Sequence, residues 1–159
     1  MNNTSNEGIK KIKKFSHELK KNVLEMAYCA GASSSHFGGA LSILDIVATL
    51  FSSFLKYDPK NPLWEDRDRF ILSKGHACLA YYAALHKIGK ISLDELSTFE
   101  KDNSNLAGHP VKNVNLGIDF SNGSLGMGLS LGIGLAISSI KRKNSFPYFF
   151  SVIFKEIVK

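Results

Sequence analysis

One short segment constrains the fold of this chain more than any other. The run Arg69-Phe70-Ile71-Leu72 leads directly into the polar segment Ser73-Lys74-Gly75-His76 and then into residues 77–88, which have helical composition. A run of this length and apolarity is typical of a strand buried within a parallel sheet. Because helix, strand and helix alternate along the chain, we expect an α/β fold with a mainly parallel sheet and flanking helices.

Helical patterns precede this segment. Apolar residues recur at spacings of three and four over residues 12–30, with lysines between them, which predicts an amphipathic helix that ends near Gly31. Ser42 and Asp45 have the spacing of an N-cap pair. A second helix is therefore expected to begin there, and because it is apolar on most sides we expect it to be buried.

The second half of the chain contains a long loop between helices. Ser92 and Glu95 predict a capping box at the start of a short helix. Residues 101–124 are rich in Asn, Gly, Ser and Asp, and loops of this length are often functional. An apolar helix that ends near Lys141 and a buried strand within residues 146–154 follow. With no internal repeat, the whole chain is expected to form a single domain.

The distribution of charge argues against a nucleic-acid-binding protein. The chain carries a formal net charge of +6, but residues 1–21 and 141–159 each contribute +4, and the residues between them contribute −2. Nucleic-acid binders usually carry positive charge as a patch or stripe on the folded domain, whereas lysine-rich ends are usually solvated. We therefore expect no nucleic-acid partner.

Composition favours a soluble, cytoplasmic protein. The apolar fraction of 44% and the charged fraction of 21% are typical of a globular chain. The polar N-terminus lacks the apolar region of a secretory signal, and no uninterrupted apolar stretch reaches the roughly 18 residues that a membrane span needs. Cys29 and Cys78 are therefore expected to be reduced and structural.

Three histidines lie in or beside predicted loops and have small neighbours. His36 precedes a pair of glycines, His76 follows a glycine, and His109 stands between a glycine and a proline. Small neighbours let a ligand approach the backbone, and imidazole can donate to phosphate or hydroxyl oxygens and move protons near neutral pH. Any one of them could be an ordinary hydrogen-bonded loop histidine, but three such settings favour a shared site. His17 and His86 lie within predicted helices and are assigned no function.

The spacing of these residues disfavours zinc and the common nucleotide-binding loops. Structural zinc sites show close ligand pairs, whereas the three histidines are 40 and 33 residues apart. The glycine-rich segment 123–128 precedes a predicted helix, where backbone N–H groups and the helix dipole favour an anion. Its Gly-x-x-Gly-x-Gly spacing matches neither the Rossmann fingerprint nor a P-loop. Alone, it indicates phosphate binding only weakly.

Taken in order, these segments resemble the N-terminal region of transketolases, especially those encoded as two separate subunits. The resemblance extends from residue 12 to about residue 140 and implies the thiamine-diphosphate-binding α/β fold. The second of the four matching segments is the most specific. They are Ser35-His36-Phe37-Gly38-Gly39-Ala40-Leu41-Ser42, Asp66-Arg67-Asp68-Arg69-Phe70-Ile71-Leu72-Ser73-Lys74-Gly75-His76, Gly108-His109-Pro110 and Gly123-Ser124-Leu125-Gly126-Met127-Gly128.

The resemblance implies roles for five positions. His76 and the backbone at Gly123 and Leu125 are expected to contact thiamine diphosphate, with His76 near the diphosphate. His36 and His109 are expected to be catalytic residues that line the substrate channel, hold sugar hydroxyls and assist proton transfers. The implied reaction moves a two-carbon ketol unit from a ketose phosphate to an aldose phosphate, and the cofactor supplies the nucleophilic carbon.

The C-terminal end departs from the family pattern. After the strand within 146–154, relatives place Gly-Asp-Gly and, further on, an Asn, which bind Mg2+; here the sequence reads Lys155-Glu156-Ile157-Val158-Lys159. The resemblance therefore implies an incomplete binding domain in which residues 141–159 are divergent or truncated. The chain would be a fragment, a frameshifted product or a degenerate copy, completed by a C-terminal transketolase subunit or domain in a dimer or heterotetramer.

Two alternatives stay open. The chain could be a non-catalytic remnant that pairs with an intact subunit. It could also be related to the thiamine enzymes that make deoxyxylulose phosphate, although the block from Asp68 to His76 favours a transketolase. In the leading interpretation, the chain alone is expected to be inactive.

Overall fold

The computed structural model describes residues 2–31, 35–142 and 149–152. Helices predominate on both sides of the predicted strand–loop–helix unit. In chain order the elements are α1 (Asn2–Ala30), α2 (Phe37–Thr49), β1 (Arg69–Leu72), α3 (Cys78–Lys87), α4 (Leu93–Leu96), α5 (Met127–Arg142) and β2 (Phe149–Val152). A π-helical turn, Leu50–Phe54, extends α2, and 3-10 turns span Gly75–Ala77 and Val114–Leu116.

The first helix follows the predicted amphipathic pattern. Leu19, Val23 and Met26 are buried at spacings of four and three, and Phe15 packs against the same cluster. The helix ends at Ala30, and Gly31 has a φ of +73°, in the left-handed region that commonly ends helices. The predicted helix and its end are confirmed, although the helix begins earlier, at Asn2.

The second helix begins at Phe37, earlier than the predicted start at Ser42. Ser42 lies inside the helix, where its hydroxyl donates to the carbonyl oxygen of Gly39 at 2.7 Å, a local bond that leaves the helix intact. Asp45 accepts a hydrogen bond from the hydroxyl of Ser16 in α1. The predicted N-cap pair is wrong because both side chains bind groups other than the first N–H groups of the helix.

The second helix is a core element. Ile43, Leu44 and Val47 are fully buried, whereas Ile46 and Phe54 are exposed on the outer side. With its π-helical turn, α2 is the one helix among the described residues that is long and apolar enough to cross a membrane, judged by length and composition only. Core helices of soluble proteins share that composition, and α2 contacts both α1 and α3.

The two strands pair in parallel, with Arg69 opposite Phe149 and Leu72 opposite Val152. β1 has its predicted bounds. Residues 149–152 are confirmed as a strand, and the rest of the predicted strand 146–154 lies outside the described residues. α5 contacts both strands, as expected of a helix that covers a parallel sheet.

The third helix lies at the centre of the core. It follows the loop after β1, and Leu79 and Tyr82 are fully buried. The ring of Phe70 in β1 lies 4.9 Å from that of Tyr81 in α3 and 5.2 Å from that of Phe51, measured between centroids. Aromatic pairs at such distances contribute about 0.5–1.5 kcal/mol beyond the burial of their area. These contacts fix α3 against β1 and so fix the loop between them.

The long loop 101–124 is organised by hydrogen bonds. Asn113 and Ile118 form an isolated antiparallel bridge around the 3-10 turn. Asp119 accepts hydrogen bonds at 2.5 and 3.0 Å from the guanidinium of Arg67, and both side chains are nearly buried. A bidentate pair of this kind has specific geometry. It ties the long loop to the residues that precede β1.

Candidate functional site

The predicted loop histidines lie near the carboxyl end of β1. β1 ends at Leu72, and after two intervening residues the chain enters the 3-10 turn Gly75–Ala77, which carries His76. Helix α3 begins immediately afterwards, at Cys78. Open α/β sheets bind ligands outside the carboxyl ends of their strands, so His76 stands where a ligand is expected.

Three separate segments bring their imidazoles together in a group that we call the histidine cluster: His36, His76 and His109. The ring centroid of His36 lies 5.2 Å from that of His76 and 5.7 Å from that of His109, and both pairs are close to edge-to-face. His36 and His109 are exposed, and His76 is half-buried. The rings of His36 and His109 are therefore accessible, whereas Nε2 of His76 is buried.

The other two histidines lie in helices, as predicted. His17 is exposed on α1. His86 is near the end of α3, where its Nδ1 lies 2.8 Å from the carbonyl oxygen of Ile91. Neither ring contacts another aromatic ring among the described residues. His17 and His86 can therefore serve as controls in experiments on the histidine cluster.

Two glycines let the histidine cluster form. A Cβ at Gly39 would lie 2.8 Å from Cδ2 of His76, and a Cβ at Gly75 would lie 2.9 Å from the carbonyl oxygen of Asn122. Real Cβ atoms essentially never approach this closely. The small residues beside the histidines therefore allow the loops themselves to meet.

Lys74 is a charged residue of the site that sequence reasoning missed. It is only 5% exposed, and its Nζ donates to the hydroxyl of Ser42 at 3.2 Å. Its Cε would lie 3.5 Å from a Cβ at Gly39, beside His76. Positive charge is thereby held next to the histidine cluster, where it favours an anionic ligand. The only sequence signal was its place directly before the Gly-His pair.

The glycine-rich segment brings the start of α5 to the end of β1. The N–H of Gly128 donates to the hydroxyl of Ser73 at 3.1 Å, and a Cβ at Gly128 would overlap that side chain. Gly123 and Leu125 are exposed, and their N–H groups donate to no other described residue. Backbone N–H groups at the start of a helix are suited to binding an anion.

A separate cavity of about 50 Å³ lies within the aromatic core. Phe51, Phe70, Tyr81 and the Arg67–Asp119 pair are among its lining residues, and none of the clustered histidines is. Its walls are the side chains that hold β1 and α3 together. The histidine cluster is therefore the better candidate for a functional site.

The chemistry of the histidine cluster suits an anion that bears hydroxyl groups. Imidazoles donate or accept hydrogen bonds and exchange protons near neutral pH, and the Lys74 ammonium donates only. Within residues 2–31, 35–142 and 149–152, no group of three His, Cys, Asp or Glu side chains is arranged to hold a metal ion. Such donors suit oxygen acceptors, for example those of phosphate or hydroxyl groups.

Comparison with known proteins identifies the family to which this chain is similar. Residues 17–149 match the family described as transketolase, thiamine diphosphate binding domain. The chain is 41% identical over 116 residues to a transketolase of Buchnera aphidicola subsp. Baizongia pistaciae and also to transketolase 2 of Escherichia coli (strain K12). Each alignment covers 72% of this chain but only 17% of the relative.

Solved structures agree with the sequence comparison. The transketolase from Leishmania mexicana superposes with a TM-score of 0.78 at 29% identity, covering 89% of this chain and 22% of that one. A Pichia stipitis transketolase in complex with sedoheptulose 7-phosphate gives 0.72 at 27% identity, covering 89% and 21%. The chain thus spans 17% to 22% of the length of these relatives. The resemblance predicted from the motifs is confirmed, and this chain belongs to the transketolase family through its thiamine diphosphate binding domain.

Proposed function

We propose that this chain forms the diphosphate-binding side of a thiamine-diphosphate-dependent transketolase, a transferase that moves a two-carbon ketol unit from a ketose phosphate to an aldose phosphate. The observation that carries the proposal is the convergence of His36, His76 and His109 at the carboxyl end of β1, in a chain of this family. Donors from three loops, beside a buried lysine and the start of a helix, favour a polyanion.

The donor set fits a diphosphate. Diphosphate oxygens only accept hydrogen bonds, whereas imidazole, ammonium and amide N–H groups donate them. We assign diphosphate binding to His76 and to the N–H groups of Gly123 and Leu125, and the ammonium of Lys74 adds positive charge beside them. When bound, thiamine diphosphate supplies the nucleophilic carbon of the reaction.

His36 and His109 are the proposed catalytic residues. Both are exposed beside His76, so they can reach a substrate that lies next to the diphosphate. Their imidazoles would hold sugar hydroxyls and transfer protons at the reacting carbons. The complex of the Pichia stipitis transketolase with sedoheptulose 7-phosphate supports sugar phosphates as the substrates.

The rest of the catalytic unit is proposed to come from other residues. A C-terminal transketolase subunit or domain would complete the site, Mg2+ would join the diphosphate, and further strands would extend the sheet into a mainly parallel one. The exposed apolar residues Leu129, Ile133 and Ile137 of α5 support a partner surface. The assembly would be a cytoplasmic dimer or heterotetramer, in which this chain alone transfers no ketol unit.

The proposal is tested by supplying the rest of the enzyme. A chimera in which residues 17–149 replace the matching part of Escherichia coli transketolase 2 should transfer ketol units, whereas the chain alone should not. His36→Ala and His109→Ala should each lower kcat/KM by about 10²–10⁴-fold, the usual contribution of a general acid or base. His17→Ala, an exposed change on α1, is the matched control and should leave kcat/KM unchanged.

An inactive chimera would separate the two functions considered for this chain. If it folds and binds thiamine diphosphate but transfers nothing, even though unmodified transketolase 2 is active in the same assay, the catalytic proposal fails. The alternative is then a non-catalytic partner of an intact subunit, which would use the same exposed apolar face of α5. That alternative predicts a stable complex between this chain and an intact transketolase subunit.

A further inference from the structure

We propose that Cys78 and Tyr82 of α3 are positioning residues, which hold the backbone beside His109 so that its imidazole stands within the histidine cluster. The catalytic meaning of that position rests on the proposed function. The hydrogen bonds that set it belong to the protein alone and can be tested without a ligand.

Both residues donate hydrogen bonds to consecutive carbonyl groups of the long loop. The thiol of Cys78 donates to the carbonyl oxygen of Gly108 at 3.1 Å, and the hydroxyl of Tyr82 donates to that of Ala107 at 2.8 Å. The two donors are four residues apart on α3, so they lie on one face of the helix, one turn apart. They therefore fix the two peptide groups that immediately precede His109.

Burial makes these two bonds hard to replace. Cys78 is 1% exposed and Tyr82 is 0% exposed, so water competes little for either donor. Burial, followed by the negative charge of Glu100, raises the pKa of the Cys78 thiol to about 12. Burial likewise raises the pKa of Tyr82. Both groups therefore keep their protons at neutral pH and remain donors.

A second contact fixes the loop on the other side of His109. The N–H of Asn122 donates to the carbonyl oxygen of Pro110 at 3.0 Å. The backbone of Asn122 also lies so close to Gly75 that a Cβ there would be 2.9 Å from it. The residues on both sides of His109 are thus tied to the segment that carries His76, so the spacing within the histidine cluster is built into the fold.

Tyr81 offers a matched control on the same helix. It is 3% exposed, and its hydroxyl donates to the carbonyl oxygen of Gly117 at 2.8 Å. Tyr81→Phe and Tyr82→Phe therefore remove the same group, at similar depth, from a bond of the same length to the same loop. A merely structural effect would appear in both variants, whereas the placement of His109 depends on Tyr82.

The test is an NMR comparison of the full chain without ligand. Ring protons of His36 and His109 should show a nuclear Overhauser effect in the wild type, because their centroids are 5.7 Å apart. Tyr82→Phe and Cys78→Ala should each lose this effect and shift the ring signals of His109. Tyr81→Phe should retain both, and Cys78→Ser, which keeps a donor, should restore what Cys78→Ala loses.

Retention of the effect in both Tyr82→Phe and Cys78→Ala would overturn the proposal, as would its equal loss in Tyr81→Phe. Melting temperatures measured in parallel identify a variant that has unfolded. If Tyr82→Phe unfolds, the comparison of Cys78→Ala with Cys78→Ser tests the proposal. Failure of the proposed function would be a distinct result. It would appear as a wild-type chimera that binds no thiamine diphosphate, while the ring contacts of the free chain still report on Cys78 and Tyr82.

Discussion

Single residues of the site are set by contacts that the sequence reveals only in part. The clustered histidines could be predicted because glycine or proline beside each one marks a loop, and because the order of the motifs resembles transketolases. Lys74 could not be predicted in the same way, since its ammonium donates to Ser42 of α2, a distant part of the chain. Local sequence indicates which residues carry chemistry, and tertiary packing decides which others join them.

His76 is the residue on which the cofactor assignment depends most. In the chimera, His76→Ala should weaken thiamine diphosphate binding by about 1.5–3 kcal/mol, the scale of a lost hydrogen bond to a charged group. The free energy of unfolding should change less than the affinity, because the residue is partly exposed, although its Nε2 atom is buried. Calorimetric titration measures the affinity and urea denaturation the stability, with His17→Ala as the control. Unchanged affinity with reduced stability would make His76 a structural residue.

The buried thiol of Cys78 should make the protein less stable at alkaline pH. Burial raises its pKa from 9.0 to about 12, so the folded state keeps a proton that the unfolded state loses. The stabilisation is complete below about pH 9 and is lost as the pH rises towards 12. At about pH 10 the free energy of unfolding should be lower than at neutral pH by about 1.4 kcal/mol from this group.

Urea denaturation of the wild type and Cys78→Ser at neutral pH and at about pH 10 checks this expectation. Serine does not titrate in this range, so the alkaline loss of stability should be smaller in the variant by about 1.4 kcal/mol. Tyr81 and Tyr82, whose pKa values burial also raises, remain in both proteins. An equal alkaline loss in the two proteins would contradict the assignment to Cys78.

Among the elements, the bounds and caps of helices and strands are predicted correctly where the sequence signal lies within the element itself. β1 has its predicted bounds, and Ser92 caps α4 by accepting a hydrogen bond from the N–H of Glu95 at 3.0 Å. This is one half of the predicted capping box, while the Glu95 carboxylate accepts from Asn105. The same kind of pattern misleads at α2, where Ser42 bonds within the helix and Asp45 bonds to α1. Such residues serve as caps or as tertiary partners, and only the packed structure distinguishes the two.

Substitutions at two glycines of α5 test the contact between this helix and the end of β1. Gly128→Ala would press a Cβ against Ser73 and should lower the free energy of unfolding by about 1–3 kcal/mol, the usual cost of overpacking. Gly134 has nothing within 4 Å of the corresponding position, so Gly134→Ala should raise it by about 0.5–1 kcal/mol through helix propensity. Urea denaturation that gives both changes the same sign would contradict the close contact.

For the molecule as a whole, the order and spacing of motifs predicted more than composition did. Charge and apolar content excluded classes of protein, while the ordered segments indicated the transketolase family that the match over residues 17–149 confirms. The relatives named above are transketolases, which favours that family over enzymes that make deoxyxylulose phosphate. The meeting of His36, His76 and His109 could not be derived from sequence spacing, because it depends on how α2, β1 and α3 pack.

The exposed face of α5 should make the chain by itself bind hydrophobic dyes or self-associate. Leu129, Ile133, Ile137 and Ile140 are 49% to 77% exposed at helical spacing, and contiguous apolar surface of this kind marks an interaction site. Ile133→Lys should reduce dye binding and association, whereas Leu24→Lys, at an exposed position on α1, should not. A monomer that binds no dye would contradict this expectation.

The most direct test of the central claim, that the loops carrying His36, His76 and His109 form one cofactor and substrate site, is a titration followed at the histidine rings. NMR signals from the rings of all five histidines of this chain would be recorded as thiamine diphosphate is added with Mg2+. Thiamine without the diphosphate is the control. We predict that the signals of His36, His76 and His109 shift and saturate together with thiamine diphosphate, while those of His17 and His86 stay unchanged. Unshifted signals from the clustered rings, or equal shifts at all five, would contradict the account.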